Sequence, residues 1–179
     1  QNALVIGAAK LSAVTDWTNR DTCILFGDGA GAVVLKPSDR PGLRSSYLGV
    51  DGHQADILFI PAGGCKRPAS VETVGERQHF IQMAGRETFK IAVNTMLDAA
   101  QQAIARANLT AADMDWMVFH QANRRIIDAV AHRLGDGTTD RAIVNLDRYG
   151  NTSAASIPIA LSEAVADGRV QSGDKILMV

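Results

Sequence analysis

The chain reads as an α/β protein of layered type with a largely parallel or mixed sheet, and three observations predict it. Short apolar runs bounded by glycine or polar residues occur at 3–8, 116–119, 142–146 and 175–179. From Phe80 onward these runs alternate with stretches whose apolar residues step by three and four, the pattern of helices packed on a sheet. The 179 residues, 46% hydrophobic and 21% charged, are enough to bury a real core.

In chain order, the branched run ALVIGA at 3–8 predicts a buried strand. TCILFGDGAGAVVLK, 22–36, predicts two strands around GDGAG. Glycines there could let backbone N–H groups cradle a phosphate, but the spacing fits neither dinucleotide nor P-loop patterns and apolar VVL follows where a helix is required. A tight hairpin or bulge is the plainer expectation. Residues 37–79, with Pro37, Pro41 and Pro61, read as a connector with strand-like pieces at YLGVDG and ILFIPA. Met83, Phe89, Val93, Leu97, Ala100 and Ile104 predict one face of a helix over 80–108, ended by Asn108. Thr110 with Asp113 resembles a capping box for a short turn. A strand at 116–119 leads to His120, a helix runs over 124–134 and closes at Gly135, and a strand covers 142–146. A helix over 152–167, closed by Gly168, and a strand at 175–179 complete the order. Both ends of the chain read as interior strands of something longer.

Composition excludes several classes. Eighteen basic and 19 acidic residues leave a formal net charge of -1, so no overall field favours nucleic acid or a membrane surface. No apolar run approaches the roughly 20 residues that span a bilayer, and the first residues lack the pattern of a secretory leader, so a cytoplasmic protein is expected. Cys23 and Cys65 have neither metal-ligand spacing nor the density of a disulfide scaffold, and reduced thiols are expected. His53, His79, His120 and His132 show no ligand-like grouping, so no metal is implied.

Two constellations carry chemistry. VFHQANRR puts His120 where a strand ends and a helix begins, the place where layered α/β folds present reactive groups. A buried histidine bonded to a carbonyl is the plainer alternative. Arg124 and Arg125 in the first helical turn oppose the helix dipole at a cost of a few tenths of a kcal/mol unless an anion is near. Arg125, Asp128 or Ala129, His132 and Arg133 fall along one helical face, and this basic stripe suits a phosphate-bearing ligand or an acidic partner, or a solvated helix surface. In RYGNTSAASIP, Gly150 permits backbone geometry closed to other residues, and Thr152 or Ser153 can cap the following helix, fixing Asn151 in a turn. The small residues after Asn151 suit a central helix that approaches another backbone closely, and Pro158 is tolerated only in a first turn or a kink. A purely turn-forming asparagine is the alternative.

Taken together, HQANRRI and GNTSAASIP, with DTCILFGDGAGAVVL, FIQMAGRETFKIAV and DGRVQSGDKILMV in order, resemble the β-ketoacyl-acyl carrier protein synthase III family of condensing enzymes. The resemblance implies a thiolase-like α-β-α-β-α fold, with 1–36 the end of its N-terminal half, 37–79 a connector, and 80–179 most of its C-terminal half. It implies a decarboxylative Claisen condensation of acetyl-coenzyme A, or a short acyl-coenzyme A, with malonyl-acyl carrier protein. The catalyst in that family is a Cys-His-Asn triad, matched here by His120 and Asn151. The family's cysteine lies in a segment before ALVIGA, and neither Cys23 nor Cys65 falls in its motif; the glycine-rich segment after the last strand is likewise not matched.

The resemblance places Arg20 against the coenzyme A adenine, Asn123 near the pantetheine and phosphates, Gly85 along the tunnel and Phe89 beside the channel. It assigns Lys90, Gln121, Ala122, Asn123, Arg124, Arg125 and Arg133 to the surface met by the acidic carrier protein. His132 stands at a usual lysine, and Arg86 at an asparagine of a common relative. Coenzyme A enters as substrate carrier, with no separate cofactor, and the implied assembly is a homodimer completed by the N-terminal portion. A related condensing enzyme of secondary metabolism and a noncatalytic carrier-protein-binding piece are the competing readings.

Overall fold

The computed structural model describes residues 1–40 and 42–179, so the proline at 41, counted above in the connector, lies outside the described residues. Strand β1 (Ala3–Lys10) pairs antiparallel with β2 (Asp28–Leu35), Ile6 opposite Ala32. A short helix, α1 (Arg20–Cys23), lies between them. β3 (Leu58–Phe59) pairs antiparallel with β4 (Gln82–Met83), and α2 (Val71–Gly75) stands between those two. The long α3 (Gly85–Arg106) leads to β5 (Trp116–Val118), and α4 (Arg124–Leu134) follows. After α5 (Leu146–Tyr149) and α6 (Ser156–Ala166), β6 (Ile176–Met178) returns parallel to β5.

Helix α6 lies between two sheet layers. One of its faces packs on β2, the turn at Ser153–Ala155 just before it packs on β1, and Ala160 and Ala164 on the other face sit against Val118 and Ile143. Beyond β5 and β6, α3 and α4 pack on each other and enclose Val93, Ala100, Phe119, Ile127 and Val130. The result is a sheet–helix–sheet–helix stack. The helical period over α3 holds, since Val93, Leu97, Ala100 and Ile104 are its buried residues. Phe80 and Met83 fall outside that helix: Met83 is in β4, bonded to β3.

Five expectations are corrected. GDGAG is no hairpin, bulge or phosphate loop: Asp28 to Gly31 run inside β2 as ordinary ladder residues. The missing side chains of Gly31 and of Gly7 opposite it serve packing, because a Cβ on Gly31 would lie 2.8 Å from the Pro158 ring and one on Gly7 would lie 2.2 Å from the Ala154 carbonyl oxygen. Residues 22–25 close α1 and a turn instead of forming a strand. The stretch 142–146 makes a single parallel bridge, Ala142 to Met117, before α5 begins. Strand β1 is not buried: Leu4 and Ile6 are 62% and 63% exposed. In the connector, YLGVDG forms no strand, whereas ILFIPA supplies β3. No helix among the described residues is long and apolar enough to cross a membrane.

Candidate active site

The chain brings His120 to the end of β5 on a rigid mount. Met117, Val118 and Phe119 are fully buried, and the His120 backbone N–H donates to the Val179 carbonyl oxygen at 2.6 Å. Gln121 then locks the turn. Its side-chain amide donates to the carbonyl oxygens of Phe119 (2.7 Å) and Ile143 (3.2 Å), while its Oε1 accepts the Asn145 N–H at 3.0 Å. Held this way, the imidazole is largely buried, and burial pushes its pKa below the ordinary histidine range. Burial thus favours the neutral ring over the charged one. Its Nδ1 lies 2.7 Å from the Ser156 Oγ.

Asn151 is held by a different set of bonds. Gly150 takes φ 67°, ψ -161°, a conformation that penalises any side chain. The Asn151 N–H donates to the Leu25 carbonyl oxygen at 2.8 Å, and its own carbonyl accepts the Gly27 N–H at 2.9 Å. These bonds form a parallel bridge at Phe26. Gly27 has to be a glycine, because a Cβ there would lie 2.0 Å from the Tyr149 carbonyl oxygen. The Asn151 Oδ1 accepts the Ser153 N–H at 3.0 Å, which leaves its NH₂ as the donor end. The expected capping of the following helix by Thr152 or Ser153 is absent: Ser153 has φ 51°, and neither hydroxyl makes a cap bond. Pro158 sits in the first turn of α6, where no helical N–H is lost.

His120 and Asn151 face one cleft of about 260 Å³, lined otherwise by Leu11, Phe26, Leu58, Phe59, Ile60, Ile81 and Ser153. Two neutral donors in an apolar cleft can stabilise an oxygen on which negative charge develops, because the donors are already oriented and little water competes.

The remaining predicted residues fall in two groups. Arg20 opens α1, exposed, and Asn19 caps that helix by accepting the Asp21 N–H. Gly85 opens α3, exposed, and Phe89 and Lys90 lie in its first turns. The Arg125 guanidinium lies 5.5 Å over the Phe89 ring, and Arg133 donates to Asn94 of α3 at 2.9 Å. Lys90, Arg125 and Arg133 therefore share the α3–α4 surface. Arg124 is paired with Asp128 one turn along at 2.8 Å, which offsets its unfavourable place at the helix start. Asn123 caps α4 through its Oδ1, which accepts the Arg125 N–H at 2.9 Å. One assignment to the carrier-protein surface is corrected: Gln121 is 1% exposed with its amide fully engaged, whereas Ala122 is half-buried beside the core cluster. Sequence reasoning overlooked Ser156, one of several hydroxyls in TSAAS with no spacing to single it out.

The stacked layers, and a histidine and an asparagine brought from two halves of the stack to one apolar cleft, place the chain in the thiolase-like class. More particularly, the chain belongs to the 3-oxoacyl-[acyl-carrier-protein] synthase III family: the model of that family matches residues 1–52 and the model of its C-terminal part matches residues 104–179. Among curated relatives, β-ketoacyl-[acyl-carrier-protein] synthase III of Symbiobacterium thermophilum is 51% identical over 178 residues, 99% of this chain and 54% of its own. The crystal structure of the Thermus thermophilus enzyme of the same name matches with a TM-score of 0.88 at 45% identity, over 99% of this chain and 54% of that one. The Aquifex aeolicus 3-oxoacyl-[acyl-carrier-protein] synthase III matches at 0.86 and 42%, over 99% and 53%. The chain thus spans about half the length of the relatives it matches.

Proposed function

We propose that this chain supplies the His-Asn part of an acyltransferase that condenses acetyl-coenzyme A, or another short acyl-coenzyme A, with malonyl-acyl carrier protein, initiating type II fatty acid synthesis in the cytoplasm. A cysteine from outside this chain takes the acyl group from coenzyme A, releasing its thiol. Malonyl-acyl carrier protein then loses carbon dioxide, and the electron pair of the broken bond passes onto the thioester oxygen as an enolate. The His120 Nε2–H and the Asn151 NH₂ donate to that oxygen. Carbon–carbon bond formation follows as the enolate attacks the acyl-cysteine and the thiolate leaves, giving 3-oxoacyl-acyl carrier protein.

The observation that carries this reading is the convergence of the neutral His120 ring and the Asn151 carboxamide on one apolar cleft. Arg20 is assigned to coenzyme A because a planar guanidinium stacks on aromatic bases, with Gly85, Phe89 and Asn123 along the approach. Lys90, Arg125 and Arg133 are assigned to the acidic carrier protein, and a homodimer is the proposed assembly. No further cofactor enters the scheme. Decarboxylation of malonyl-acyl carrier protein by His120→Ala in the complete enzyme tests it: the rate should fall about 10²–10³-fold, the usual cost of one such donor, while acyl transfer to the cysteine persists. An unchanged decarboxylation rate would overturn the reading.

A further inference from the structure

The His120 ring is held from behind by Ser156, a residue of the first turn of α6 that is 2% exposed. Its Oγ lies 2.7 Å from Nδ1 and also accepts the Gln121 backbone N–H at 3.2 Å. A hydroxyl has one hydrogen to give and two lone pairs. The Gln121 N–H takes one lone pair, and among the described residues Nδ1 is the acceptor in reach of the hydrogen. The opposite arrangement, with Nδ1 as the donor, would leave the serine hydrogen unbonded in a buried place, at the cost of an unmet hydrogen bond. Gln121 cannot readily swing away to change this, because its side chain is bonded to Phe119, Ile143 and Asn145.

We propose that Ser156 is a positioning residue that sets the tautomer of His120: its hydroxyl donates to Nδ1, so Nε2 keeps its hydrogen and presents a donor, not a lone pair, to the cleft shared with Asn151. The proposal rests on the oxyanion role given to His120 above and adds what makes that role possible. A neutral imidazole has two tautomers, and the wrong one would aim a lone pair at a developing negative charge. Gln121 takes part from a distance, as the N–H that occupies the serine oxygen and as the brace that keeps it there.

The test is nitrogen-15 NMR of the His120 side chain at neutral pH in the complete protein, for wild type, Ser156→Ala and Ser156→Thr, beside decarboxylation kinetics for each. Wild type should carry its hydrogen on Nε2. Ser156→Ala should give a mixture of tautomers and a kcat for malonyl-acyl carrier protein decarboxylation lower by about tenfold, part of the loss expected for a missing donor, with KM little changed. Ser156→Thr keeps the hydroxyl and should restore both the spectrum and the rate. A wild-type ring protonated on Nδ1 would overturn the proposal even if neither variant folds, and so would a Ser156→Ala spectrum identical to wild type. The spectrum is read without substrate, so the expected tautomers in a protein that does not decarboxylate would support the serine's control of the ring and count against the condensation reading.

Discussion

The two partners of the cleft are held by very different regions. His120 grows from a region closed on itself, where β5, β6, α3 and α4 share one buried cluster that includes Phe119, Ile127 and Val130 at zero exposure. Asn151 is held against the β1–β2 ribbon, whose branched side chains Leu4, Ile6 and Val34 are 62%, 63% and 67% exposed. The first region is ordered by volume filling. The second is ordered by backbone bonds and by the absence of side chains at Gly7, Gly27 and Gly31. Substitutions should therefore damage the two regions by different mechanisms.

The largest contrast is predicted between Ile127→Ala and Leu4→Ala. Emptying the fully buried Ile127 site should cost about 2–5 kcal/mol, whereas trimming the exposed Leu4 should stay within about 0.5 kcal/mol. Urea unfolding of both variants measures the difference, and equal losses would mean that the ribbon is covered. Next in size is Gly27→Ala. Its new methyl would run into the Tyr149 carbonyl oxygen, so about 1–3 kcal/mol should be lost by the same measurement. Decarboxylation should fall with it, because the bonds that place Asn151 run through that backbone.

A smaller effect concerns pH. The His120 pKa is depressed in the fold by burial, so below the ordinary histidine value the unfolded chain binds a proton that the folded chain refuses. Stability therefore falls as pH drops through that value toward the lower folded one, and above it stability is at its full value and no longer depends on this group. Thermal midpoints from about pH 7 to pH 5 should decline less steeply in His120→Asn than in wild type.

The same division explains what was legible in the sequence. Helix α4 matches its expected span of 124–134, and the buried face of α3 is the one its period marks, because both helices bury their apolar stripes within this chain. An apolar run announces a strand but not what covers it, so 3–8 was recognised as a strand and misjudged as buried. The glycines of GDGAG suggested a turn, since sequence cannot separate a glycine needed for backbone conformation from one needed for close approach. Helix α2 was overlooked because its signal, the Ser70–Thr73 capping box, uses threonine where glutamate or glutamine is usual and sits among prolines and glycines. At the site, His120 and Asn151 stood out by motif. Ser156 and the bracing role of Gln121 did not, because their importance lies in bonds between segments far apart in the chain.

The measurement that bears most directly on the central claim is a double-mutant cycle on decarboxylation of malonyl-acyl carrier protein, using His120→Ala, Asn151→Ala and the pair in the complete enzyme. If both side chains serve one developing oxyanion, each single loss should be large and the pair should be only slightly slower than the worse single variant. Effects that multiply independently, or a single variant that decarboxylates at the wild-type rate, would contradict a shared oxygen.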